Sequence, residues 1–216
     1  MKVNDPRYQN QGVHVISNIF TIDKGVIKIL LIKRKYDPFK DKWALVSGAL
    51  YNDEDIIDGL NREIKEKTNL TDIENILVGV YGDVNRSPAM RMVGIAYIGL
   101  IDRYKVEINK ETLKTVDAKW FSLDELPTDL AFDHKLIIHD SYEKLKKLVL
   151  ETNILKSLYP KGFTIPEIQK VYESILNKKL DRRNFRKKIV SLDFVTETND
   201  TSNFIGKKKA RVYKFI

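Results

Sequence analysis

Two runs of β-branched and aromatic residues, Val13 to Phe20 and Val26 to Ile32, flank Asp23, Lys24 and Gly25, whose turn chemistry predicts a hairpin. Further strands are predicted at Trp43 to Val46, Ile76 to Tyr81, Met92 to Leu100 and Ala118 to Phe121. Between the third and fourth lies Asp53 to Thr68, where Ile56, Ile57, Leu60 and Ile64 recur at helical spacing and predict one buried stripe. Strands around one conspicuous helix indicate a mixed α+β domain. After Asp133 the period becomes helical, with Ile137, Ile138, Leu145 and Leu148 on a shared face.

A different pattern follows. Phe163 to Leu176 opens with Thr164 and carries Glu167 three residues on, a capping box, with Pro166 in the first turn where its missing donor does no harm. A second helix starts at Asp181, a capping residue, and puts Phe185, Ile189 and Leu192 on one side and Arg182, Arg183, Arg186 and Lys187 on a separate arc. A short strand, Phe194 to Glu197, then leads into a polar stretch, Thr198 to Asn203, that reads as a loop continuing through Gly206 and Lys207 to Lys209. A return strand is expected from Arg211 to Ile216. Helix, turn, basic helix and hairpin form the order of a winged helix-turn-helix. The expected division is a first domain over 1–140, a connecting helix over 141–152 and a second domain over 153–216.

Charge supports that division. Residues 1–150 hold 23 Lys and Arg against 23 Asp and Glu, whereas residues 151–216 hold 15 against 7, so the net +8 belongs to the second part. A folded basic module needs an anionic partner, and nucleic acid is the commonest. The chain has no cysteine, which excludes disulfides and thiolate metal sites and fits a reducing compartment. No run approaches the roughly 20 apolar residues that span a bilayer, and no signal-peptide pattern is present, so a cytoplasmic location with no membrane partner is expected.

The segment Gly48 to Leu70 resembles the Nudix box. In register it gives Gly48, Glu54, Arg62, Glu63, Ile64, Glu66, Lys67, Asn69 and Leu70, matching the pattern at seven positions and departing at Lys67 and Asn69. The stretches LIKRKYDPFKDKWALVSGAL, AKWFSLDELP and LAFDH are similar to Nudix proteins related to ADP-ribose pyrophosphatases, with Val46 and Ser47 where Pro and Gly are usual. In active members of that family a carboxylate cluster binds Mg²⁺ or Mn²⁺. Residues three and four apart stack on one helical face, so Glu63, Glu66 and position 67 are expected to point together, and an ammonium there repels a divalent cation. Asn69 is milder, since Asn tolerates the left-handed conformation past a helix end. His134 by itself reads as a structural, hydrogen-bonding histidine.

Together the halves resemble the Nudix-related transcriptional regulators of the NrtR type, with FTIPEIQKVYESILNKKLDRRNFRKKI as the most diagnostic stretch. The resemblance implies a Nudix-fold α/β/α sandwich followed by a winged helix, in a homodimeric repressor that binds an operator in double-stranded DNA. It implies an effector such as ADP-ribose, another NAD-related metabolite or a sugar. Arg182, Arg183, Asn184 and Arg186 are the candidates for base reading, and Lys187, Lys207, Lys208, Lys209 and Arg211 for phosphates. Arg34, Trp43, Arg62, Glu63, Glu66 and Arg91 are the candidates for the effector. Arg62 could instead serve a salt bridge and Trp43 the core. No catalytic residue, metal or cofactor is assigned. An alternative reading keeps Glu54, Glu63 and Glu66 as a reduced ligand set in a hydrolase of ADP-ribose or a nucleotide sugar with a nucleic-acid-binding appendage. A third makes the chain an adaptor whose first domain only dimerises.

Overall fold

In the computed structural model, residues 11–203 and 209–216 are described. The first part is a seven-stranded mixed sheet. Its backbone is the path β3 (Trp43–Ala44), β2 (Val26–Arg34), β1 (Gln11–Asp23), β6 (Arg91–Leu100) and β5 (Asn75–Tyr81). β4 (Val46–Ala49) pairs with the early half of β1, setting His14 opposite Ala49 and Ile16 opposite Ser47, and β7 (Thr115–Ser122) pairs with β2. β1 and β6 run parallel through ten paired positions, so β1 is a central strand covered on both faces. Its unbroken buried run from Val15 to Thr21 follows from that position.

Alternate residues of β1 and β2 feed two cores. On one face Val15, Ile19, Leu30 and Ile32 pack against Leu60 and Ile64 of α1 (Ile56–Thr68). On the other, Ile16, Phe20, Ile29 and Leu31 join Ile137, Ile138 and Leu145 of α2 (His134–Glu151). This is the α/β/α sandwich. The predicted stripe of α1 needs correction at its start: Ile56 and Ile57 are exposed, whereas Leu60, Glu63, Ile64 and Lys67 are buried. The helix begins three residues after Asp53, and its buried face takes in two charged side chains instead of the first two isoleucines. Asn69 caps it in the left-handed conformation, φ 63°, as its side chain allows.

The core on the α2 face does not stop at the sheet. It continues through Leu155, Phe163, Ile168, Tyr172, Phe185 and Tyr213 into the second part. There β8 (Phe163–Thr164), α3 (Ile165–Leu176), α4 (Arg182–Val190), β9 (Val195–Asn203) and β10 (Lys209–Phe215) form a winged helix, with the strands in the order β8-β10-β9. The Thr164–Glu167 capping box opens α3, and Asp181 caps α4 by accepting from the Asn184 amide at 2.9 Å. Gly162 holds φ 89° where a Cβ would lie 2.5 Å from the Tyr213 carbonyl, so the turn into β8 depends on glycine. Thr198 to Asn203 is a strand and not a loop: Thr201, Ser202 and Asn203 pair with Arg211, Ala210 and Lys209. From Thr196 to Ser202 no side chain is buried, so this part of the strand carries no alternation of apolar residues to mark it. Lys207 and Lys208 lie outside the described residues. No helix among the described residues is long and apolar enough to cross a membrane.

Candidate functional site

A cavity of about 340 Å³ opens where β4, the end of β2 and the start of β1 meet α1. Its wall includes His14, Arg34, Ser47, Gly48, Glu63, Lys67, Lys114 and Phe132. Of the effector candidates, Arg34 and Glu63 line it directly. Arg62 and Glu66 lie beside it, bound to the same carboxylate cluster. Trp43 and Arg91 are placed elsewhere: Trp43 packs edge-on against Phe121 with ring centroids 4.9 Å apart, and Arg91 donates to the Asp83 and Met92 carbonyls. Lys114 and His14 went unread in the sequence. Lys114 arrives from the loop before β7, 48 residues beyond Glu66, and nothing local marks it.

Arg62, Glu63, Glu66 and Lys67 of α1 are all held in ion pairs. The guanidinium of Arg62 donates to both oxygens of Glu54 at 2.6 and 2.8 Å, to Glu63 Oε1 at 2.6 Å and to the Ala49 carbonyl at 2.9 Å, and it stacks on Tyr51 at 3.8 Å. Glu54 is thereby pulled down to about 2, mainly by Arg62. Lys67, buried beneath β4, faces Glu63 Oε2 at 2.8 Å in an ion pair lying off the hydrogen-bonding direction, and donates to the Ser47 carbonyl. Glu66 holds Lys114 at 2.8 Å, and Lys114 stands 3.7 Å from Glu63. Burial pushes Glu63 up, but Lys67, Arg62 and Lys114 outweigh it and hold the carboxyl below its ordinary range. Burial also draws Lys67 downward, against the pull of Glu63. Gly48 makes the arrangement possible, because a Cβ there would meet the Glu63 carboxyl at 2.0 Å.

A divalent cation needs several unengaged oxygens. Here Glu54, Glu63 and Glu66 each already face a cation, and the position that should bring a further carboxylate brings an ammonium. The residues present do not fit the metal that the Nudix resemblance implies. Among the described residues, no group of three or more His, Asp or Glu is placed to hold a metal ion.

Two histidines lie at the cavity, His14 in its wall and His134 behind it in the core. His134 is buried and its Nδ1 accepts from the Leu45 amide at 3.0 Å; burial first, then Arg86, lowers it to about 3. His14 is lowered to about 4 by the same two causes. Both are neutral near pH 7, so the cationic wall consists of Arg34, Lys67 and Lys114.

The second candidate surface is α4. Phe185 and Ile189 bury one face, while Arg182, Arg183, Asn184, Arg186 and Lys187 are all exposed on the remainder, together with Lys188. In the wing, Lys209 is exposed, and Arg211 is already paired with Glu197.

Comparison with known proteins agrees with this two-part geometry. The NUDIX domain model matches residues 13–141, and the NrtR DNA-binding winged helix domain model matches residues 155–215. The chain is similar to the ADPR responsive transcriptional repressor NtrR of Acinetobacter baylyi, at 33% identity over 202 residues, covering 91% of this chain and 79% of that protein. It is similar over its first part to the ADP-ribose pyrophosphatase of Methanocaldococcus jannaschii, at 41% identity over 113 residues, covering 52% of this chain and 64% of that protein. Among solved structures, NrtR of Shewanella oneidensis complexed with a 27mer DNA aligns with TM-score 0.77 and 25% identity, covering 94% of this chain and 93% of that one. The NUDIX domain of the same protein complexed with ADP ribose aligns with TM-score 0.59 and 28% identity, covering 65% of this chain and 93% of that one.

Proposed function

The chain belongs to the NrtR family of Nudix-related, winged-helix transcriptional regulators, and from that premise we propose that it is a repressor that leaves or holds its operator according to the ADP-ribose bound in its Nudix domain. One observation carries the reading: a single chain joins a cavity walled by Arg34, Lys67 and Lys114 to an exposed helix bearing Arg182, Arg183, Asn184 and Arg186. Cations suit a diphosphate, and an exposed arginine-bearing helix suits the major groove. Sensing is assigned to residues 1–140, DNA binding to 153–216, and connection to the helix between, over 141–152. The protein acts as a homodimer in the cytoplasm, and NAD metabolism is the process whose metabolite it reads.

Within the site, Arg34 and Glu63 touch the effector, and Arg62 and Glu66 hold the wall in shape. Lys67 in place of a metal-binding carboxylate removes hydrolysis, because no divalent cation is left to neutralise the diphosphate and position water. A hydrolase reading is favoured by the retained Glu54, Glu63 and Glu66 and by the likeness to the M. jannaschii pyrophosphatase. The discriminating experiment has two arms. Fluorescence anisotropy on duplexes that the protein itself selects from a random pool is expected to show preference over random DNA and a change of affinity on adding ADP-ribose. Incubation with ADP-ribose and Mg²⁺ is expected to release no AMP. Turnover in the enzyme range of ~1 to 1000 per second would establish the hydrolase instead, and equal binding to selected and random DNA would remove the regulator.

A further inference from the structure

We propose that Lys67 replaces the divalent cation itself, so that this chain binds the diphosphate of its effector independently of metal. The proposal rests on the effector reading above and adds to it a chemistry for the site. The cavity and its rim bring together four cations, Arg34, Arg62, Lys67 and Lys114, and three carboxylates, Glu54, Glu63 and Glu66, a surplus of one positive charge. With a carboxylate at position 67 the same cluster would hold three cations and four carboxylates, a deficit of one. A bound divalent cation would return that deficit to a surplus of one. Lys67 reaches the same balance with a charge tethered to the chain.

The placement suits that role. Lys67 is buried beneath β4 and lines the cavity, so its charge acts where water screens little. An ammonium carries three donors. The Ser47 carbonyl takes one of them, and the Glu63 carboxylate lies at 2.8 Å off the donor directions, so donor capacity remains for a ligand oxygen. Both fixed neighbours are acceptors, and the negative charge of Glu63 at 2.8 Å favours the ammonium against the cost of burial. Arg34 and Lys114 supply further donors on the same wall. An ammonium has no octahedral geometry to satisfy, unlike Mg²⁺, and the ion pair with Glu63 pre-positions it before the ligand arrives.

The test is isothermal titration of the full-length protein with ADP-ribose in EDTA and again in Mg²⁺, alongside Mn²⁺ binding followed by electron paramagnetic resonance. The wild type is expected to bind ADP-ribose with the same affinity in both buffers, within about twofold, and to leave Mn²⁺ free in solution. Lys67→Glu is expected to lose roughly tenfold or more in EDTA, to recover when Mn²⁺ is added, and to immobilise the Mn²⁺. Lys67→Met, which keeps the length of the side chain and introduces no carboxylate, is expected to bind weakly in both buffers and to hold no Mn²⁺. Wild-type binding that needs Mg²⁺, tight Mn²⁺ binding by the wild type, or wild-type affinity of Lys67→Met in EDTA would each overturn the proposal. Absence of ADP-ribose binding by the wild type in either buffer would overturn the effector reading and this ligand's part in the proposal, while the Mn²⁺ arm still decides whether the cluster excludes metal.

Discussion

His134 enters the core as an acceptor, its Nδ1 taking the Leu45 amide proton, so only the neutral imidazole fits. Its folded value of about 3, and about 4 for His14, lie below the ordinary 6.5. A depressed folded value means that below about pH 6.5 the unfolded chain takes up protons that the folded chain refuses. Stability from these two sites is therefore complete above that pH and declines as pH falls towards 4, by up to ~1.4 kcal/mol per pH unit for each histidine. Urea denaturation between pH 7 and 4.5 is expected to show this slope, and His134→Gln is expected to reduce it; an unchanged slope in the variant would assign the loss to other groups. Arg86, which helps to depress both histidines, is buried and held bidentately by Asp133 at 2.8 Å twice over. Asp133 precedes α2 without making a side-chain cap bond, so its worth lies in that ion pair. Asp133→Ala strands a buried guanidinium and is expected to cost about 3–5 kcal/mol in the same denaturation experiment, and a loss below ~1 kcal/mol, typical of exposed pairs, would contradict this.

At the scale of elements, α4 and the wing present charge differently. The arginines of α4 stand on a helix fixed by Phe185 and Ile189, whereas Lys209 sits exposed at the start of β10 and Arg211 is shared with Glu197. A rigid donor fork suits a base edge, while a flexible ammonium suits phosphate. Arg186→Ala is expected to cost about 1–3 kcal/mol on the selected duplex and to relax preference at one position. Lys209→Ala is expected to weaken all duplexes alike and lower the salt slope by about one. Salt titrations of both variants separate the two behaviours, and identical curves would erase the distinction. These elements were legible to different degrees. Helix α3, with its Thr164–Glu167 box, and α4, with Asp181, carry their boundaries in local chemistry. Strand β9 does not, because from Thr196 to Ser202 no side chain is buried and its Thr, Asn and Asp residues serve loops equally well. The cavity was half legible for a related reason: Glu63 and Lys67 are neighbours on one helix, while Lys114 and His14 reach them only through the pairing of β4 with β1 and the path of the chain before β7. Trp43 shows the converse, since an aromatic beside the box looks like a binding residue until Phe121 is seen against it.

Across the whole molecule, β1 and β2 run from the cavity to α3 of the winged helix. At one end they carry His14 and Arg34 into the cavity; at the other, their turn rests on α3, where the Ile27 amide donates to Ser174 Oγ at 2.8 Å and Gly25 lies against Lys170. The shared core passes from Phe20 and Ile29 to Tyr172 and Phe185 without a break, so α4 is attached to the strands that line the cavity. A ligand that favours one arrangement of those strands biases α4 by as much as its affinities for the two arrangements differ. Ser174→Ala removes the acceptor of the Ile27 amide while touching neither the cavity nor the exposed face of α4. The variant is expected to lose about 1 kcal/mol of stability and to bind ADP-ribose and operator, each alone, nearly as the wild type does. The shift in operator affinity caused by ADP-ribose is expected to shrink. Anisotropy titrations with and without ADP-ribose measure that shift directly, and both tryptophans, Trp43 and Trp120, lie in the first domain to report its unfolding independently. If the shift stays at its wild-type size in Ser174→Ala, coupling does not run through the hairpin tip, and the remaining apolar contacts between the strands and α3 must carry it.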